Sequence, residues 1–90
     1  MSDEEILLKV KMAIGITSDY QDDILKIYID EVKQYMLNAG VQDGTVNSSK
    51  AIGTIARGVL DLWNFGSGDV QLSPYFKERV IQLRGGESNV

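Results

Sequence analysis

Apolar residues recur at spacings of three and four along most of this chain, a period that suits helices and leaves little room for strands. Ile6, Leu7, Val10 and Ile14 form the first stripe. Ser2 precedes it with Glu5 three residues on, the spacing of a capping box. Gly15 is placed to stop this helix after about three turns. Thr17-Ser18-Asp19 offers the next N-cap, and Asp22 and Asp23 put negative charge where a helix dipole favours it. Ile24, Ile27, Tyr28, Val32, Tyr35, Met36 and Ala39 follow as an apolar face, widened by Leu25 and Ile29. This second helix closes at Asn38-Ala39-Gly40 and is the longest element. A stripe so broad predicts contact on more than one side.

Residues 40–50 read as the main break, with Asp43-Gly44 as a turn dipeptide and Asn47 or Ser48 as the next cap. A third helix is expected from Ser49 to Phe65, burying Ile52, Ile55, Ala56, Val59, Leu60 and Trp63. Gly53 and Gly58 fall inside it, each costing about 1 kcal/mol relative to alanine. Close approach of another helix is the favoured reason for them; a hinge is the other. Gly66-Ser67-Gly68-Asp69 reads as a flexible loop. Ser73-Pro74 reads as an N-cap followed by a first-turn proline. The last helix carries Phe76, Val80 and Leu83 on one face with Tyr75 beside them, and Gly85-Gly86 is expected to end it. The expected fold is therefore all-α. It is one domain over residues 1–86 with about four helices, a long second and a short C-terminal one, and residues 87–90 form a flexible tail.

Ninety residues bury a real but thin core. The chain has neither cysteine nor histidine. That excludes disulfides, thiolate metal sites and cysteine nucleophiles, and removes the commonest general base and metal ligand. Gly66-Ser67-Gly68 has neither the following Gly-Lys-Ser/Thr nor the preceding strand of a phosphate cradle. Asp19, Asp22 and Asp23 lack the register of an EF-hand loop, and helix capping explains them better. No catalytic, cofactor or metal site is expected. No apolar run approaches the ~20 residues of a membrane span. The acidic opening Met1-Ser2-Asp3-Glu4-Glu5 is unlike a signal peptide, so synthesis in the cytoplasm is expected.

Charge is unevenly placed. Residues 1–45 carry nine acids and four lysines, and residues 46–90 carry four acids and five bases, including all three arginines. Random scatter together with helix-end preferences is one reading of this; an acidic face meeting a more basic one on a neighbouring subunit is the other. A chain of net charge −4 is poorly suited to wrapping nucleic acid, and the gap before the last helix is too long for a helix-turn-helix reader. Trp63 and Phe65 suit either the core or an interface anchor.

The last helix contains Gln82-Leu83-Arg84-Gly85. Together with three other stretches, this resembles the small tailed-phage head–tail connector proteins, which include a group named for a terminal Gln-Leu-Arg-Gly motif and assigned to DNA packaging. The other stretches are Leu7 through Ile16, Asp19-Tyr20-Gln21-Asp22 with the long helix to Gly40, and Ala51 through Trp63 followed by Ser73-Pro74-Tyr75-Phe76. The likeness spans roughly residues 5–85.

The resemblance implies an all-helical, non-catalytic virion protein assembled in the host cytoplasm. Such proteins form a homo-oligomeric ring of about a dozen subunits beneath the portal, held by heterologous contacts. The ring extends the DNA channel, lets DNA pass without sequence-specific binding, and docks a tail or second connector protein. The interface residues expected on this basis are Trp63, Phe65, Arg79, Gln82, Leu83, Arg84 and Gly85. Arg84 keeps two readings, a charge at the end of its own helix or an intramolecular pair, and a contact to a neighbouring subunit or the portal. A regulatory binding module and a DNA-binding protein are the alternatives from other classes.

Overall fold

The computed structural model describes residues 1–65 and 72–87. Four helices of three or more turns build the domain: α1 (Asp3–Ile14), α2 (Asp22–Asn38), α4 (Ile52–Phe65) and α5 (Pro74–Glu87). A one-turn helix, α3 (Asp43–Val46), and a 3-10 turn at Ser49–Ala51 lie between α2 and α4. No strand occurs among the described residues. The fold is all-α, as the periodicity requires.

α1 begins on the capping box. The Ser2 hydroxyl accepts the Glu5 N–H, and the Glu5 carboxylate accepts the Ser2 N–H, each at 3.2 Å. The helix ends on Gly15 in the left-handed region, at φ 79°, where a residue without Cβ is unstrained. The start of α2 differs from expectation. Its N-cap is Gln21, with no side-chain cap bond, and Thr17-Ser18-Asp19 lies outside the helix. Asp22 and Asp23 stand in its first turn, as expected, and Lys11 Nζ lies 2.9 Å from Asp19 and 2.8 Å from Asp22. Lys11 is buried on α1, so its ammonium head reaches these acids while its stem fills apolar space.

Those bonds, to Asp22 first and Asp19 second, hold the Lys11 pKa above its ordinary value of 10.5. A group whose pKa rises on folding stabilises fully below its unfolded value and loses that contribution as pH climbs through the folded one. As pH rises above the ordinary lysine value of 10.5, the thermal midpoint should therefore fall more steeply in the natural chain than in Lys11→Met. Parallel alkaline slopes in melts followed by circular dichroism would count against this pair.

The break at residues 40–50 is more ordered than its turn residues suggest. Asp43 and Gly44 open α3 rather than a hairpin-like turn. Asn47 donates through Nδ2 to the Asp43 carbonyl at 3.0 Å and accepts from Lys33 Nζ at 2.9 Å, which ties this segment to α2. The local signals Asp-Gly and Asn are equally compatible with one helical turn. The bond from α2 selects between them.

α4 is the hub, with α1, α2 and α5 all packed on it. It buries Ile55, Ala56, Val59 and Leu62, while Ile52, Leu60 and Trp63 are half-buried. α2 turns Leu25, Tyr28, Ile29, Val32 and Met36 inward and leaves Ile24 and Ile27 exposed. α5 starts as predicted. The Ser73 hydroxyl accepts the Phe76 N–H at 3.1 Å, Pro74 occupies the first turn, and Phe76 and Val80 are buried. Gly85 and Gly86 do not end it, because the helix continues to Glu87. Neither glycine takes a positive φ, so no left-handed cap forms there. The loop read at Gly66–Asp69 lies outside the described residues.

Gly58 explains how three helices meet. A Cβ placed there would lie 2.8 Å from Phe76 Cε1 and 2.8 and 2.9 Å from the two γ-carbons of Val32. The glycine is the socket into which α2 and α5 press. Close approach is therefore its role.

Candidate interaction surface

The seven residues expected at an interface fall in separate places. Arg79, Gln82 and Leu83 come together with Lys50 and Thr54 around a shallow cleft of about 170 Å³ between α5 and the start of α4. Trp63 lies elsewhere, half-buried and edge-on to Tyr28 with ring centroids 6.3 Å apart. Phe65 closes α4, and its side chain lies outside the described part. Gly85 is exposed near the end of α5.

Arg84 has a partner within its own chain. Its Nη1 donates to the Ala39 carbonyl at 3.0 Å, at the C-terminal end of α2. α2 has no basic residue in its last turn, so its exposed carbonyls lack a local cation. Arg84 brings that charge from α5. Gly40 makes the approach possible, since its φ is +99° and a Cβ there would stand 3.1 Å from Arg84 Cδ. This is the intramolecular reading of Arg84, realised through a backbone carbonyl rather than a carboxylate.

Arg79 is held by two residues, Thr54 and Tyr75. Its Nε donates to Thr54 Oγ1 at 3.4 Å, its Nη1 donates to Tyr75 Oη at 3.3 Å, and its guanidinium carbon lies 5.8 Å from the Tyr75 ring centroid. Gly53 clears its path, because a Cβ there would be 2.9 Å from Arg79 Nη2. The second helix glycine thus has a packing role too. Arg57 stacks on the same tyrosine, 5.3 Å from the centroid, and pairs with Asp61 at 3.5 Å. Lys50 and Thr54 were not singled out by sequence. Each is unremarkable alone, and only the crossing of α5 over α4 places them beside Arg79.

Opposite chemistry lines the outside of α2. Tyr20, Ile24 and Ile27 are exposed, at 84%, 43% and 58%, and the exposed acids Asp23 and Glu31 flank them. Among the described residues no group of three or more acids is placed to hold a metal ion, and no helix is long and apolar enough to cross a membrane. The described surface thus presents an arginine and a lysine in a cleft, and an apolar ridge edged with carboxylates.

Residues 4–83 match the family model described as phage gp6-like head-tail connector protein. The match stops before Arg84 and Gly85, so it does not distinguish the Gln-Leu-Arg-Gly group within that family. No curated protein and no solved structure matches the chain.

Proposed function

From membership of the phage gp6-like head–tail connector family, to which this chain belongs, we propose that it forms a ring beneath the portal and docks a tail or second connector protein. The observation that carries this reading is the family match over nearly the whole domain. The fold agrees with it: a small helical body of five helices among the described residues offers surfaces for packing. In this role the protein is a structural component of the virion and performs no catalysis. DNA passes through the ring without sequence-specific contacts, in keeping with the net charge of −4. Residues 1–86 act as the connector domain.

Deleting the gene from its phage should leave heads and tails that fail to join, and supplying the chain in trans should restore infectious particles. Electron microscopy of the deletion lysate reads the result directly. Normal tailed virions without the protein would overturn the proposal.

A further inference from the structure

Arg79 is the best-prepared charge on this surface. Thr54, Tyr75 and the missing side chain of Gly53 fix its guanidinium in place. Yet neither Arg79 nor its neighbour Lys50 forms an ion pair among the described residues. Ordering a long side chain costs rotamer entropy, and an arginine ordered in advance binds an anion without that cost at the moment of contact. Its planar fork suits a carboxylate or a phosphate.

Two observations choose the carboxylate. The cleft holds only two cations beside apolar Leu83, on a chain of net charge −4 that repels a polyanion. The chain also carries a matching surface elsewhere. On the outer face of α2, Ile24, Ile27 and Glu31 follow one another at three- and four-residue spacing, with Asp23 beside them and Tyr20 just ahead. Asp23 and Glu31 form no ion pair among the described residues either. The inner face of α2 packs on α4, so this ridge points away from its own cleft's helix.

We infer that the Lys50–Arg79 cleft of one copy receives the Glu31 side of the α2 ridge of a second copy, in a heterologous, head-to-tail contact. Arg79 and Lys50 take the carboxylate, Gln82 adds an amide at the rim, and Ile24 and Ile27 bury their exposed surface near Leu83. Because donor and acceptor surfaces lie on different elements, each copy keeps one of each free after the first contact, and the chain of contacts continues. This inference rests on the connector reading only in taking a second copy as the occupant.

Charge reversal separates the possibilities. The natural chain should self-associate at low salt as its concentration is raised to about 1 mM, followed by sedimentation velocity and by amine-to-carboxyl crosslinking. Arg79→Glu and Glu31→Arg should each weaken that association on the order of tenfold. An equimolar mixture of the two variants should restore it, since each variant then offers the complement of the other. Both variants should keep natural helicity; Glu31→Arg should also keep the natural thermal midpoint, whereas Arg79→Glu gives up the bonds to Thr54 and Tyr75, so its association is compared well below its own midpoint.

Failure of the mixture to recover, or unchanged association in the single variants, overturns the inference. So does a natural chain that stays monomeric at about 1 mM. If Arg79→Glu instead abolishes salt-sensitive binding to duplex DNA and leaves self-association intact, the cleft is a phosphate site and the proposed contact is wrong. These outcomes stand apart from the deletion experiment. A connector confirmed by deletion but unmoved by charge reversal keeps its function and loses this contact.

Discussion

Gly58→Val is expected to destabilise the domain by about 3 kcal/mol or more. The reason is geometric. Even a lone Cβ would sit 2.8 Å from both Phe76 and Val32, against an optimum near 3.5–4.0 Å between carbons. Valine adds two more methyl groups to a space that is already filled. Gly58→Ala should cost less, because alanine regains about 1 kcal/mol of helix propensity. Adding Val32→Ala to Gly58→Ala removes both offending γ-carbons, so the double variant should be more stable than the two single effects predict, by about 1 kcal/mol. Gly44→Ala is the control. Nothing lies within 4 Å of its Cβ, and the change should be neutral or slightly stabilising. Urea denaturation measures all of these. A Gly58→Val chain as stable as the natural one would show that α2, α4 and α5 do not meet as described.

The second large effect is expected at Asp61. This aspartate is 3% exposed in the body of α4, an unusual place for a charge. It accepts the Ser73 hydroxyl at 2.7 Å and the Ser73 N–H at 3.1 Å, and Arg57 lies 3.5 Å from its other oxygen. Ser73 in turn caps α5. One carboxylate thus ties the start of the last helix to α4. Asp61→Ala leaves Ser73 and the Arg57 guanidinium without this acceptor and should cost about 2–3 kcal/mol. The loss should be concentrated in α5, with hydrogen exchange of residues 77–84 accelerated more than that of α1. Asp61→Asn, which keeps one acceptor oxygen, should recover part of the stability. Uniform acceleration across all helices would point to a general weakening of the core and count against the latch.

Much of this fold is legible in the sequence because its local signals agree with its packing. Ser2 with Glu5, Gly15, and Ser73 with Pro74 each satisfy backbone groups within a few residues, so their effect needs no distant partner. Where a distant partner competes, the local reading fails. Asp19 is a good N-cap by type, but Lys11 takes it into an ion pair and α2 starts later. Asp-Gly and Asn between α2 and α4 are good turn formers, but Lys33 draws Asn47 toward α2 and a helical turn forms. Leu60 and Trp63 match the helical period, but α4 is surrounded by three helices, and burial extends to Leu62, Thr54 and Asp61 on faces that a single stripe does not predict.

The candidate interaction surface was legible only in part. Arg79, Gln82 and Leu83 lie on one helix and are among the residues that the family resemblance points to. Lys50, Gly53 and Thr54, which complete and preorganise the cleft, lie far away in sequence. Arg84 shows the same division. Its charge at the end of α5 is plain from sequence, while its bond to the carbonyl end of α2 depends on where α5 crosses.

The sequence by itself determined that this chain is helical, that it lacks cysteine and histidine chemistry, and where α1 and α5 begin. These follow from period, composition and capping, which act over a turn or two of helix. Only the tertiary structure decided which helix is central, why Gly58 and Gly53 must be small, and what Asp61, Lys11 and Arg84 hold. Those roles come from contacts between residues far apart in the chain, and their strength is set by burial and crossing geometry that no local window contains.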